Sequence, residues 1–252
     1  MLEYRNVSLS SGGVRILDDI NVAFKAGKLT TIIGPNGCGK TTLIQALNGQ
    51  SRLCGGGILL DNEDFSSFKP KQRARKVSFL PQVHMTIPAV STHTLVSHGR
   101  FPYLGFARKM GEEDKRIIRE AMKTADILEY ENEGVDTLSG GVRQRAFIAM
   151  QLAQGCEYIV ADEPTTYLDV KSRKQVLDIY SKLRNEGKTV VLVLHDIAKA
   201  LEISDELIIM KSRKIFFSGT PAEALKAGIV EEVFETDVKT FTEDNRIYYV
   251  TD

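Results

Sequence analysis

One nine-residue stretch, GPNGCGKTT (34–42), constrains this chain more than any other. It follows the apolar run LTTII (29–33) and leads into TTLIQALNG (41–49), a plausible helix. Gly34, Gly39, Lys40 and Thr41 satisfy G-x-x-x-x-G-K-[ST], the phosphate-binding P-loop. Within it, Pro35, Asn36, Gly37 and Cys38 form a loop whose backbone N–H groups beyond the proline can wrap around a phosphate, and the helix N-terminus adds a favourable dipole. Lys40 reaches the terminal phosphates, Thr41 offers a hydroxyl to Mg²⁺, and Thr42 begins the helix beside it. A strand, a glycine loop and a helix in that succession require an α/β fold.

Two further apolar runs repeat the pattern. YIVA (158–161) runs into Asp162-Glu163, and TVVLVL (189–194) runs into His195-Asp196. Short continuous runs of this kind are strands of a parallel sheet covered on both faces. Ligands of such sheets sit at the carboxyl ends of the strands, where all three runs place polar residues. The N-terminal segments EYRNVSLS, INVAFKAG and GGILLDN predict a small, partly antiparallel sheet. From about 83 to 156 the character is helical, and EEDKRIIREAMKTADIL aligns Ile117, Ile118, Ala121, Ala125 and Leu128 on one face. Thr220-Pro221-Ala222-Glu223 has the spacing of a capping box with proline at the first helical position.

Lys+Arg and Asp+Glu both total 33, so no net charge draws the chain to nucleic acid or to an anionic membrane, which leaves only a local basic patch to do so. No apolar run approaches the ~20 residues of a membrane span, and the start MLEYRNVSLS lacks the basic-then-apolar pattern of a secretory signal. Three cysteines without C-x-x-C spacing argue against a disulfide framework or a zinc site. A role at a membrane therefore implies a partner that spans it.

Asp162 at a strand end suits a Mg²⁺ ligand, and Glu163 beside it suits polarising a water aimed at a γ-phosphate. Gln82 in FLPQ and His195 after its strand are, alone, ordinary polar residues. TLSGGVRQR (137–145) opens a second glycine-rich helix start. Ser139, Gly140 and Gly141 present a hydroxyl, backbone N–H groups and a positive helix end. The P-loop already encloses one nucleotide's phosphates, so this start suits the nucleotide of a second copy arranged head to tail.

Together, the P-loop, LPQ, LSGGVRQR, VADEPTTYLD and VLHD resemble, in order and spacing, the ATP-binding cassette (ABC) ATPase subunits, over essentially the whole chain. The resemblance implies one ABC ATPase domain over 1–252 with a P-loop NTPase fold. A RecA-like parallel core and β subdomain would occupy about 1–82 and 157–252, and a helical subdomain about 83–156. It implies ATP and Mg²⁺ as cofactors, with Thr41, Gln82 and Asp162 at the metal. Glu163 would be the catalytic glutamate, His195 the switch histidine, Gln82 the Q-loop glutamine and Lys40 the phosphate lysine. Ser139, Gly140, Gly141 and Asp169 would complete the nucleotide contacts.

GRFPYLG (99–105), VDTLSGG and DEPTTYLD look most like subunits of importers for iron–siderophore complexes, haem or cobalamin. Such a subunit would hydrolyse ATP as a head-to-tail dimer at the cytoplasmic face of the inner membrane. It would dock on a multi-span permease fed by an extracytoplasmic binding protein, and would bind no nucleic acid. Phe101, Pro102, Tyr103 and Leu104 are expected to line the docking groove. The alternatives are a soluble relative acting on nucleic acid or ribosomes, an exporter subunit, or a regulatory subunit without turnover. Two residues depart from the family pattern. Val142 stands where glutamine is usual, and Ser11 stands where an adenine-stacking aromatic is usual, with Tyr4 a candidate substitute.

Overall fold

The apolar runs become strands wherever a β-branched stretch ends in a turn residue. The computed structural model describes residues 1–82, 89–105, 109–243 and 246–251, so the opening of the expected helical stretch, 83–88, lies outside the described residues. In chain order the strands are β1 (Leu2–Ser11), β2 (Val14–Phe24), β3 (Leu29–Ile33), β4 (Arg52–Leu60), β5 (Glu63–Asp64), β6 (Val77–Leu80), β7 (Tyr158–Asp162), β8 (Thr189–Val193), β9 (Glu206–Lys211), β10 (Lys214–Gly219), β11 (Val238–Glu243) and β12 (Arg246–Thr251). The helices are α1 (Lys40–Gln45), α2 (Pro70–Lys76), α3 (Thr92–Ser97), α4 (Glu112–Thr124), α5 (Gly140–Ala153), α6 (Val170–Asn185), α7 (Ile197–Ile203), α8 (Pro221–Lys226) and α9 (Ile229–Phe234).

The chain divides into two compact units, Met1–Ser67 with Leu183–Asp252, and Phe68–Lys182. The expected divisions near 82 and 156 differ from these. Strands β6 and β7 group with the helices because α5 packs on β6, and the Gln151 amide donates to the carbonyl of Val160 at 2.8 Å.

In the first unit, β1 pairs antiparallel with both β2 and β4, forming the small sheet expected from the N-terminal segments. A second sheet region runs β10, β9, β3, β8. Here β3 is parallel to both β8 and β9, and all five residues of β3 and of β8 are buried, as continuous apolar runs require. The Asp205 carboxylate joins two elements of this unit, accepting from the Leu29 amide at 2.9 Å and from Arg184 at 2.6 Å. The box at Thr220–Glu223 forms as its spacing predicts, with proline at the start of α8. The hairpin β11–β12 packs against α7.

In the second unit, β6 and β7 are parallel, and α3, α4 and α5 pack on one another. The buried face of α4 is Ile118, Ala121 and Met122, continued by Ala125 and Ile127, while Ile117 and Leu128 are only half-buried. Arg145 of α5 is buried, yet it donates to the carbonyls of Ala125 and Asp126 and to the side chain of Gln175. These bonds satisfy a cation that would otherwise be costly to desolvate. Among the described residues no helix is long and apolar enough to cross a membrane.

Candidate nucleotide site

The loop 34–39 is shaped by close approach. Gly34 has φ +154°, and a Cβ there would run into the carbonyl oxygen of Met210 and lie 2.9 Å from Cys38 Sγ. Gly39 has φ +102° and precedes α1, and a Cβ there would lie 2.5 Å from a Leu17 methyl on β2. Both positions demand glycine. Helix α1 is shorter than the sequence pattern suggests and gives way to turns after Gln45. Lys40 is buried. Its ammonium donates to the carbonyls of Gly34 at 2.7 Å and Pro35 at 3.2 Å, so the loop folds around its own cation. Cys38 is buried beside it, and burial pushes its thiol pKa up, which keeps it protonated and unreactive. Thr41 and Thr42 are half-buried at the first turn of α1.

His195, also in the first unit, follows β8 and is exposed just before α7, whose N-cap is Asp196. Ser11 is exposed at the turn between β1 and β2. Beside it lies an open depression of about 590 Å³ lined by residues including Ser10, Gly13, Arg15 and Arg52. Tyr4 does not substitute for the absent aromatic. It is fully buried, its ring stands edge-on to Phe24, and its hydroxyl donates to the carbonyl of Leu43.

In the second unit, Asp162 is the buried last residue of β7. Glu163 follows in left-handed backbone, φ +49°, a conformation that carboxylate residues adopt at some cost. Gln82, just past β6, donates its amide to Glu163 Oε2 at 2.7 Å, and Thr166 Oγ1 reaches the same oxygen at 3.1 Å. The two donors converge on one carboxylate oxygen and hold it in place. The sequence places Thr166 in the run 165–169 of the family pattern and gives it no role at Glu163. Its only signal is a hydroxyl three residues beyond a carboxylate in a turn, and that pattern is common. The Gln144 amide of α5 donates to the Pro164 carbonyl at 2.9 Å and ties that helix to the acidic turn.

Ser139 is the N-cap of α5, with its hydroxyl accepting from the Val142 amide at 3.4 Å. Ser139 and Gly140 are exposed, and a Cβ at Gly140 would meet open space. Gly141 is different. It is buried, and a Cβ there would drive into Ser172 Oγ, so the absence of a side chain at this position lets α5 pack closely against α6. Asp169 accepts from the Ser172 amide at 3.0 Å and the Ser172 hydroxyl at 2.7 Å, and these bonds hold its carboxyl below the usual range. Its carboxylate thus caps the start of α6. Between Glu163 and Asp169, Tyr167 also has left-handed backbone, φ +63°, and is 86% exposed.

The expected groove residues separate. Phe101 and Leu104 line a cavity of about 200 Å³ with Lys71 and Gly105. Tyr103 is instead stacked under Arg100, whose guanidinium carbon lies 4.0 Å from the ring centre, with Arg75 at 5.1 Å.

A glycine loop between a buried parallel strand and a helix, in a chain that also carries a buried strand-end aspartate followed by a glutamate, defines a P-loop nucleotide-binding protein. The ABC transporter domain model matches residues 17–166, and the chain belongs to the ABC transporter family. It is 35% identical to the iron(3+)-hydroxamate import ATP-binding protein FhuC of Bacillus subtilis, over 96% of this chain and 90% of the relative. It is 37% identical to the petrobactin import ATP-binding protein FpuD of Bacillus anthracis, over 96% and 89% respectively. Among solved structures, the fold matches a metal-chelate type ABC transporter in an inward-facing conformation, with TM-score 0.84 at 22% identity, covering 100% of this chain and 97% of that one. It also matches the ATP-binding cassette MJ0796, a dimer bound to ADP and Pi, with TM-score 0.76 at 29% identity, covering 88% and 99%.

Proposed function

We propose that this chain is the ATP-hydrolysing subunit of an importer for an iron(III)-siderophore or a related chelate such as haem, working as a head-to-tail pair at the cytoplasmic face of a membrane permease. Relatives named for iron-hydroxamate, petrobactin and haemin import support the cargo class. The observation that carries the hydrolytic reading is the Glu163 carboxylate, held by the Gln82 amide and the Thr166 hydroxyl next to buried Asp162.

Glu163 orients the attacking water and takes up its proton as the bond to the γ-phosphorus forms. Lys40 leaves the carbonyls of Gly34 and Pro35 for the terminal phosphates, and backbone N–H groups of 36–39 hold the β-phosphate. Thr41, Asp162 and Gln82 bring hydroxyl, carboxylate and amide oxygens, the hard donors that Mg²⁺ takes. Held by these residues together with the nucleotide, Mg²⁺ would supply positive charge to offset that building up in phosphoryl transfer. His195 and the partner copy's Ser139-capped helix contribute further donors to the γ-phosphate. Two copies joined through ATP move the docked permease, and hydrolysis releases them.

The deciding variant is Glu163→Gln. It is expected to keep ATP affinity and lose turnover by about 10³-fold, a barrier increase of about 4 kcal/mol. Turnover at the unsubstituted rate in a permease-bound ATPase assay overturns the assignment.

A further inference from the structure

We propose that Gln144 is a positioning residue that makes water activation at Glu163 depend on whether its own helix, α5, is seated on the partner copy's nucleotide. The inference rests on the paired, hydrolytic reading above. TLSGGVRQR (137–145) supplies Ser139 and its glycines to that reading and leaves Gln144 without a part in it.

The turn after β7 is short and closed. The Thr166 amide donates to the Glu163 carbonyl at 3.2 Å, and the Thr166 hydroxyl donates to the Glu163 carboxylate at 3.1 Å. Pro164 follows Glu163 directly, and its ring fixes φ, so its carbonyl and the Glu163 backbone move together. The Gln144 amide grips that carbonyl at 2.9 Å. Glu163 itself is in left-handed backbone, φ +49°, which a non-glycine residue keeps only where its surroundings hold it. Gln144 is one of the groups that hold it.

The same helix offers Ser139 at its exposed N-cap, five residues before Gln144. Toward its other end Gln151 is buried. Its amide donates to the carbonyl of Val160 in β7 at 2.8 Å, and it accepts from the Tyr180 hydroxyl of α6 at 3.1 Å. Helix α5 is thus tied to β7 at a buried point and to the turn beyond β7 at a half-buried one, and the buried tie is the pivot. At 1.5 Å of rise per residue, Gln144 lies about 10 Å from the pivot and Ser139 about 18 Å. A tilt that shifts Ser139 by ~1 Å shifts Gln144 by ~0.6 Å. That stretches the 2.9 Å bond to the limit at which it ceases to be one. Contact with the partner's nucleotide immobilises the helix tip, and so fixes the bond and the Glu163 backbone. A free tip leaves both to fluctuate. Hydrolysis of one nucleotide is thereby tied to occupancy of the other.

The test is the ATPase assay of the permease-bound complex. Methionine matches glutamine in length and helix propensity but carries no N–H. Gln144→Met should lower kcat about tenfold with KM for ATP unchanged. Gln144→His keeps an N–H at similar reach and should return most of the rate. Ser139→Gly removes the hydroxyl while keeping an acceptable N-cap, and should by itself also lower kcat about tenfold. Because both residues act through one helix, Ser139→Gly/Gln144→Met should lose about tenfold, not the roughly hundredfold of independent sites. The full chain carrying Glu163→Gln/Gln144→Met should still reach the mass of a dimer with ATP in light scattering, since the tether serves turnover and not pairing. Multiplying losses in the double variant, or a KM rise at constant kcat, overturns the proposal. So does a histidine variant that melts like wild type yet stays as slow as Gln144→Met, or a dimer lost on adding Gln144→Met. Failure of the paired reading is seen separately, as Glu163→Gln alone staying monomeric with ATP, and it overturns this proposal as well.

Discussion

At the scale of single residues, the acidic turn after β7 is the most informative part of the molecule. Glu163 and Tyr167 both sit in left-handed backbone, and the Glu163 carboxylate is bonded from two sides. Thr166→Val removes one of those bonds without changing the size of the side chain. We expect kcat to fall about tenfold, ~1.4 kcal/mol, with KM for ATP unchanged and Thr166→Ser restoring the rate. A KM rise at constant kcat would mean that Thr166 serves nucleotide binding instead. Lys40→Ala should abolish ATP binding, measured by titration calorimetry, because the loop loses the ammonium it is built around. The sequence made Lys40, Asp162 and Glu163 legible because their chemistry is tied to fixed spacing. It did not reveal Thr166, whose role depends on a turn that brings its hydroxyl back to position 163. Nor did it reveal that Tyr4 is core: a tyrosine in an alternating strand reads alike whether its hydroxyl meets water or a buried carbonyl such as that of Leu43.

At the scale of elements, strands were easier to read than helix contacts. The runs at 29–33, 158–161 and 189–194 announced buried strands because every residue in them is apolar or β-branched. The hairpins β9–β10 and β11–β12 are harder to read; in β10 the burial alternates exposed and half-buried, so its apolar period is weak. Gly141 shows the limit most clearly. Sequence marks it as a glycine of a phosphate-binding helix start and does not show that Ser172 packs where its side chain would be. Gly141→Ala should destabilise the protein by about 1–3 kcal/mol in denaturant unfolding, and Ser172→Gly should recover part of that loss. A neutral Gly141→Ala would show that α5 and α6 can separate freely. The α4 start gives a pH-dependent counterpart. The Gly111 amide and then the Arg100 guanidinium hold the Asp114 carboxyl below its reference value of 3.8. A lowered folded-state pKa gives stability that is complete above that reference and fades as pH falls through the lower folded value. Thermal melts should therefore lose stability below about pH 4, and Asp114→Asn should flatten that part of the profile.

At the scale of the whole molecule, the proposed pair of chains puts the exposed cap at Ser139 to a test. Glu163→Gln with ATP should raise the molar mass in light scattering to that of a dimer, and adding Ser139→Arg should return it to a monomer, since a bulky cation would block the cap. A monomer in the first case removes the head-to-tail arrangement. The Ser172 hydroxyl lodged against Gly141, with Asp169 bonded to the same serine, has a mechanical corollary. The roots of two helices are pinned at one point, so the tip that offers Ser139 and the bend that carries Tyr167 cannot swing separately. Whatever turns one turns the other, like two blades on a single rivet.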